Sequence, residues 1–141
     1  MTSVVDRADR LAVKRANTAT SLAIVFLATQ GGSFNSVKSP HLDWPFLCWV
    51  AVLLTILMFG GGWFQGEGVR AALNDETTRA HRRCAMANGF VAALVCGLFI
   101  TVLNSFVPLE TGLAVRVLIT ASVSAALLQF GKLERRALRD G

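Results

Sequence analysis

The densest chemistry in the chain lies between Gln65 and Arg83, in the stretch QGEGVRAALNDETTRAHRR, where carboxylates, guanidiniums and an imidazole crowd together just ahead of a thiol. His81 and Cys84 are three residues apart and share a helical face. Asp75 or Glu76 nearby would bring three side chains of metal-ligating type together. Zinc takes four protein ligands in structural sites, or three and a water in catalytic ones. The segment does not assemble such a set, so no metal and no cofactor is assigned. No nucleophile has a base and an orienting group in reach, so an enzyme is not expected.

What the segment offers is recognition. Arg70, Asn74, Asp75, Glu76, Arg79, His81, Arg82 and Arg83 form a polar surface that can dock a soluble partner. The plainer role is a capped helix start. Asn74 or Asp75 suits an N-cap, Asp75 and Glu76 suit the positive end of the helix dipole, and the arginines halt the chain at a membrane. Arg116 is the other residue that stands apart. It lies inside an otherwise apolar run, where it either snorkels to the headgroups or contacts a lipid or anion, paired with Asp43 or Glu110.

These residues must be positioned by something, and the distribution of charge shows what. Of 141 residues, 53% are hydrophobic and only 16% charged, too few to cover a soluble domain of this size. Spanning helices need about 20 mostly apolar residues. Four windows satisfy that requirement, predicting helices at 17–35, 45–64, 85–106 and 111–130, with a loop over 65–84. The first is the weakest, diluted by Thr18, Thr20, Ser21, Thr29 and Gln30. In the second, Trp44 and Trp63 stand about 28 Å apart on a helix, one indole for each interface.

Charge also orients the windows. Of the 14 Lys and Arg, four precede the first window, four fall in the 65–84 loop and four follow the last, leaving Lys38 and Arg116 for the opposite side. Lysine and arginine gather on the cytoplasmic face. The expected fold is therefore an all-α membrane protein, a single four-helix transmembrane domain with both termini cytoplasmic. It is placed as a multi-pass protein of the cell inner membrane. No cleavable signal peptide is expected, since charges from Asp6 to Arg15 precede the first apolar run. Cys48, Cys84 and Cys96 read as small hydrophobes.

Association of such helices depends on close backbone approach and polar contacts. Ala85, Gly89, Ala93 and Gly97 recur every four residues and form a packing groove, which Ser122 with Ala126 or Ala121 with Ala125 can fill. Gln30, Thr55, Asn88, Asn104, Ser122, Ser124 and Gln129 are expected to bond between helices. Val4, Ala8 and Leu11 give the N-terminal stretch an apolar side, and Leu133, Ala137 and Leu138 do the same for the tail. Both ends either lie on anionic lipid or, more simply, serve as positive-inside anchors.

The segment LNDETTRAHRRCA from Leu73 to Ala85, leading into Asn88, Gly89 and Phe90, resembles the inter-helix loop of small four-span bacterial membrane proteins of unassigned function encoded beside helix-turn-helix regulators. That resemblance implies a membrane partner or inhibitor of a transcription factor, tethered at this loop. Thr77 departs from the leucine of that pattern. Small multidrug transporters keep a glutamate in their first span, which this chain lacks, and dual-topology fluoride channels lack its charge bias. The reading is a non-enzymatic membrane protein whose cytoplasmic loop binds or restrains a soluble regulatory protein, with membrane lipids around it and no direct nucleic-acid contact. The alternative is a homo-oligomeric transporter or channel, with Gln30, Asn88, Asn104 and Arg116 lining a path between protomers.

Overall fold

The structure, a computed structural model, describes residues 4–33, 43–59 and 76–140. They form four α-helices and, among the described residues, no strand: α1 (Val4–Ser33), α2 (Trp44–Phe59), α3 (Glu76–Asn104) and α4 (Thr111–Asp140). Trp63, Arg70, Asn74 and Asp75 lie outside the described residues, so the expected N-cap of the third helix and the inner indole do too.

Three helices outrun the windows drawn from charge. α1 begins at Val4, far ahead of 17, because nothing between Val4 and Gln30 breaks a helix: the stretch holds no proline and no glycine. Charge decides where a helix leaves lipid, and backbone hydrogen bonding continues beyond that point. The amphipathic N-terminal stretch is thus continuous with the first apolar segment and forms no separate surface helix. The same holds at the tail, where α4 runs on to Asp140. α3 starts at Glu76, ahead of 85, and ends two residues before Phe106, where the Asn104 side-chain oxygen accepts the Leu109 N–H at 2.9 Å.

α4 is the hub. It packs along α1 and along α3 and touches α2 more lightly. Arg15 and Gln30 of α1 meet Glu134 and Arg116 of α4, and His81 and Gly97 of α3 meet Glu134 and Leu118. Both neighbours therefore run antiparallel to α4. α2 joins through Phe46, whose ring lies 6.4 Å from that of Phe26 at 15°, and through Met58, whose carbonyl accepts from Arg82. The chain runs up, down, up and down, and Val4, Glu76 and Asp140 belong to one end.

Small residues set the spacing. Ala16, Ala19, Ala23 and Phe26 are buried on α1 at three- and four-residue intervals, facing the core with Leu53, Leu127 and Phe130. At Gly131 an added Cβ would come within 2.6 Å of Thr20 Oγ1 and 3.1 Å of the Ala16 carbonyl. At Gly89 it would meet Ala126 Cβ at 2.9 Å and the Ser122 carbonyl at 3.0 Å, so α3 and α4 touch backbone to backbone here. Ala85 is fully buried, while Ala93 and Gly97 are half-buried, Gly97 against Leu118.

Two helices, α3 over Thr78–Asn104 and α4 over Thr111–Ala137, are long and apolar enough to cross a membrane. α2 offers the shorter apolar run Trp44–Met58. Only 6% of the apolar window of α3 is buried, against 33% for α4, and Phe90, Leu94, Leu98, Phe99 and Val102 are exposed along it. Hydroxyl groups on these helices are mostly satisfied locally. Thr20, Thr55 and Thr101 each donate to the carbonyl four residues back, at 2.8–2.9 Å. Thr55, Asn88 and Asn104 are exposed and, among the described residues, make no bond between helices, unlike Ser122, whose hydroxyl donates to the Gly89 carbonyl at 3.1 Å.

Candidate functional site

Two charged clusters mark the ends of the bundle. At the first, Asp43 performs two tasks. Its Oδ1 accepts the Phe46 N–H at 3.4 Å, capping α2, and its Oδ2 lies 2.9 Å from Arg116 Nη1. Arg116 also donates from Nε to Gln30 Oε1 at 2.9 Å, and its guanidinium carbon sits 4.9 Å from the centre of the Phe46 ring. The side chain is 11% exposed, so Arg116 reaches inward to neighbouring helices and does not snorkel outward. Glu110, the other partner considered, supplies the carbonyl that accepts the Ala114 N–H at the start of α4. An open groove of about 490 Å3 lies alongside, lined by Trp49, Phe46, Asp43 and Arg116 among others.

A planar fork is needed to hold Gln30, Asp43 and the ring face at once. Arg116→Lys keeps the charge but loses at least one of these bonds. It is expected to lower stability by about 1–2 kcal/mol, after allowance for Asp43 being 45% exposed. Thermal unfolding in mild detergent reads this directly, and an unchanged midpoint would show that charge alone suffices.

The second cluster centres on Glu134, buried with only 5% of its side chain exposed. Its Oε1 accepts from His81 Nδ1 at 3.3 Å, and its Oε2 lies 3.7 Å from Arg15 Nη2, in ion-pair range but long for a hydrogen bond. Arg82 stands beside them, close enough for both Arg15 and Glu134 to act on its charge, and donates from Nη1 to the Met58 carbonyl at 3.1 Å. Arg15 Nε, Arg15 Nη1 and Arg82 Nε are buried with no hydrogen-bond partner. Arg135 ties α4 to α1 at this end as well, donating from Nη2 to Asn17 Oδ1 at 3.1 Å and to Thr20 Oγ1 at 3.4 Å.

No protein-family model matches the chain, and neither a curated protein nor a solved structure matches it. Its chemistry must be read from its own geometry.

Of the eight residues singled out for docking, the five that the structure describes divide in two. His81 and Arg82 turn into the bundle, toward Glu134 and Met58. Glu76, Arg79 and Arg83 are exposed along the first turns of α3. Among the described residues, no three side chains of metal-ligating type come together, and Cys84 is exposed and apart from His81's contacts. Glu134 and Arg15 carry the second cluster although neither stands out in the sequence. The available signal was the α4 stripe Thr120, Ser124, Leu127, Gly131 and Glu134, whose three- and four-residue steps set Glu134 on the buried face.

Proposed function

We propose that the chain is an integral protein of the cell inner membrane, crossing four times with both termini cytoplasmic, and that its cytoplasmic face docks and restrains a soluble regulatory protein. Arg116 and Glu134 are eighteen residues apart on α4, about 27 Å, close to the thickness of a hydrocarbon core. Because α1 follows α4 from one cluster to the other, it shares any layer that α4 crosses. The long apolar face of α3 suits lipid and would be costly in water. Among the described residues, every lysine and arginine except Arg116 belongs to the Glu134 end, which suits the cytoplasmic side.

The observation that carries the docking proposal is that three helices do not stop at the inner cluster. α1 continues beyond Arg15 for about 16 Å back to Val4, α4 continues past Glu134 to Asp140, and α3 starts ahead of His81. They make a helical platform raised above the headgroups, on which Glu76, Arg79 and Arg83 present charge of both signs to a protein partner.

Co-purification after mild detergent extraction tests this. A cytosolic protein retained by the wild-type chain is expected to fall at least about tenfold with the triple change Glu76→Ala, Arg79→Ala and Arg83→Ala, which alters no residue that bonds within either buried cluster. Equal recovery from both chains removes the docking role. Reporter fusions at the two termini examine the topology separately: both are expected to report the cytoplasm, and opposite faces would end the four-span reading.

A further inference from the structure

The geometry points to a binding site for a phosphate-bearing anion, the headgroup of an acidic phospholipid, at the Arg15, Arg82, His81 and Glu134 cluster. Two guanidinium groups and an imidazole surround a single buried carboxylate there. That carboxylate gives His81 an oxygen at 3.3 Å but leaves Arg15 at 3.7 Å, too long for a directed bond. Three guanidinium nitrogens on two different helices are consequently buried and unpaired: Nε and Nη1 of Arg15, and Nε of Arg82. Burial desolvates the Arg82 guanidinium, and its repulsion with Arg15 adds to that cost. An oxyanion accepting from both would relieve the repulsion and satisfy the donors together. Guanidinium forks match the tetrahedral oxygens of phosphate better than any neutral acceptor.

Position selects the source. On the membrane reading just given, which the lipid assignment rests on, this cluster lies at the depth of the inner headgroups, where acidic lipids supply phosphate at high local concentration. A free phosphate compound offers the same oxygens, so the experiment must separate the two.

Purified full-length protein is presented with phosphatidylglycerol and with phosphatidylcholine in mixed micelles, and retained lipid is measured by native mass spectrometry. Phosphatidylglycerol is expected to be held about tenfold more strongly, since choline brings its own cation to the arginines. The double change Arg15→Gln with Arg82→Gln should erase that preference, while Arg136→Gln with Arg139→Gln, an equal loss of two charges on exposed side chains at the same end, should preserve it. Glu134→Gln removes the competing negative charge at constant volume, and should raise phosphatidylglycerol retention several-fold. A misfolded variant could not produce such a gain. Inorganic phosphate at millimolar concentration that displaces the lipid and binds in its absence would reassign the site to a soluble phosphate compound, overturning the lipid source. Equal retention of both lipids, or a preference that survives the double change, overturns the site. Partition of the chain into the aqueous phase at extraction would instead refute the membrane reading before any lipid is scored.

Discussion

Glu134→Ala is expected to destabilise the bundle by about 2–4 kcal/mol, the largest effect of any single polar substitution. Removing one partner of a buried ion cluster leaves the others uncompensated, typically at about 3–5 kcal/mol. The lower range applies because Arg15 and His81 keep 19% and 21% of their side chains exposed and recover some hydration. Three helices lose their common acceptor in one change, so the loss should appear as a single, less cooperative transition when unfolding is followed by circular dichroism in mild detergent. The comparison that decides the cause is the double change Glu134→Leu with Arg15→Leu, which removes a positive charge along with the negative one and should recover part of the loss. A cost below about 1 kcal/mol for Glu134→Ala would mean that the cluster is hydrated and that its charges are not interdependent.

Gly89→Ala should be nearly as damaging, through geometry and not charge. The new methyl would stand 2.9 Å from Ala126 Cβ and 3.0 Å from the Ser122 carbonyl, and neither atom can swing away because one is the root of a side chain and the other is backbone. α3 and α4 must separate, which also strains the bond from Ser122 to the Gly89 carbonyl. Overpacking of this kind costs about 1–3 kcal/mol. Gly31→Ala is the matched control, since nothing lies within 4 Å of its added Cβ. There the methyl should be neutral or gain up to about 1 kcal/mol through helix propensity. Equal behaviour of the two variants would show that α3 and α4 are not in close contact.

The helices were legible because lipid-like composition and bounded charge are strong, local signals. Runs between Asp43 and Glu67, or between Arg83 and Glu110, announce themselves over twenty residues. Their ends were less legible. Arg15 and Lys132 mark where apolar surface stops, yet α1 and α4 pass through both without a break, because ionised side chains are compatible with helical backbone. The Arg116 cluster was half visible: an arginine in an apolar run demands an acceptor, and Asp43 was a candidate. Gln30, grouped with the general polar contacts, gave no sign that it would be the second acceptor, since the bond joins residues from the first and last helices. Glu134 was hidden for the same reason. In a tail with Lys132, Arg135 and Arg136 it resembles one more solvated charge, and only the register of α4 against α1 and α3 brings it inside.

That α4 is the hub governs how the protein must be made. It is the last of the four described helices to emerge during synthesis, yet α1 and α3 both rest chiefly on it. Until it arrives, Arg15, His81 and Arg82 lack their shared counter-charge, and the small-residue grooves of the earlier helices have nothing to fill them. Packing is therefore completed only once the last helix is made and cannot proceed helix by helix. A nascent chain stalled before Thr111 would persist as loosely associated segments, open to chaperones and to proteases that the finished bundle resists.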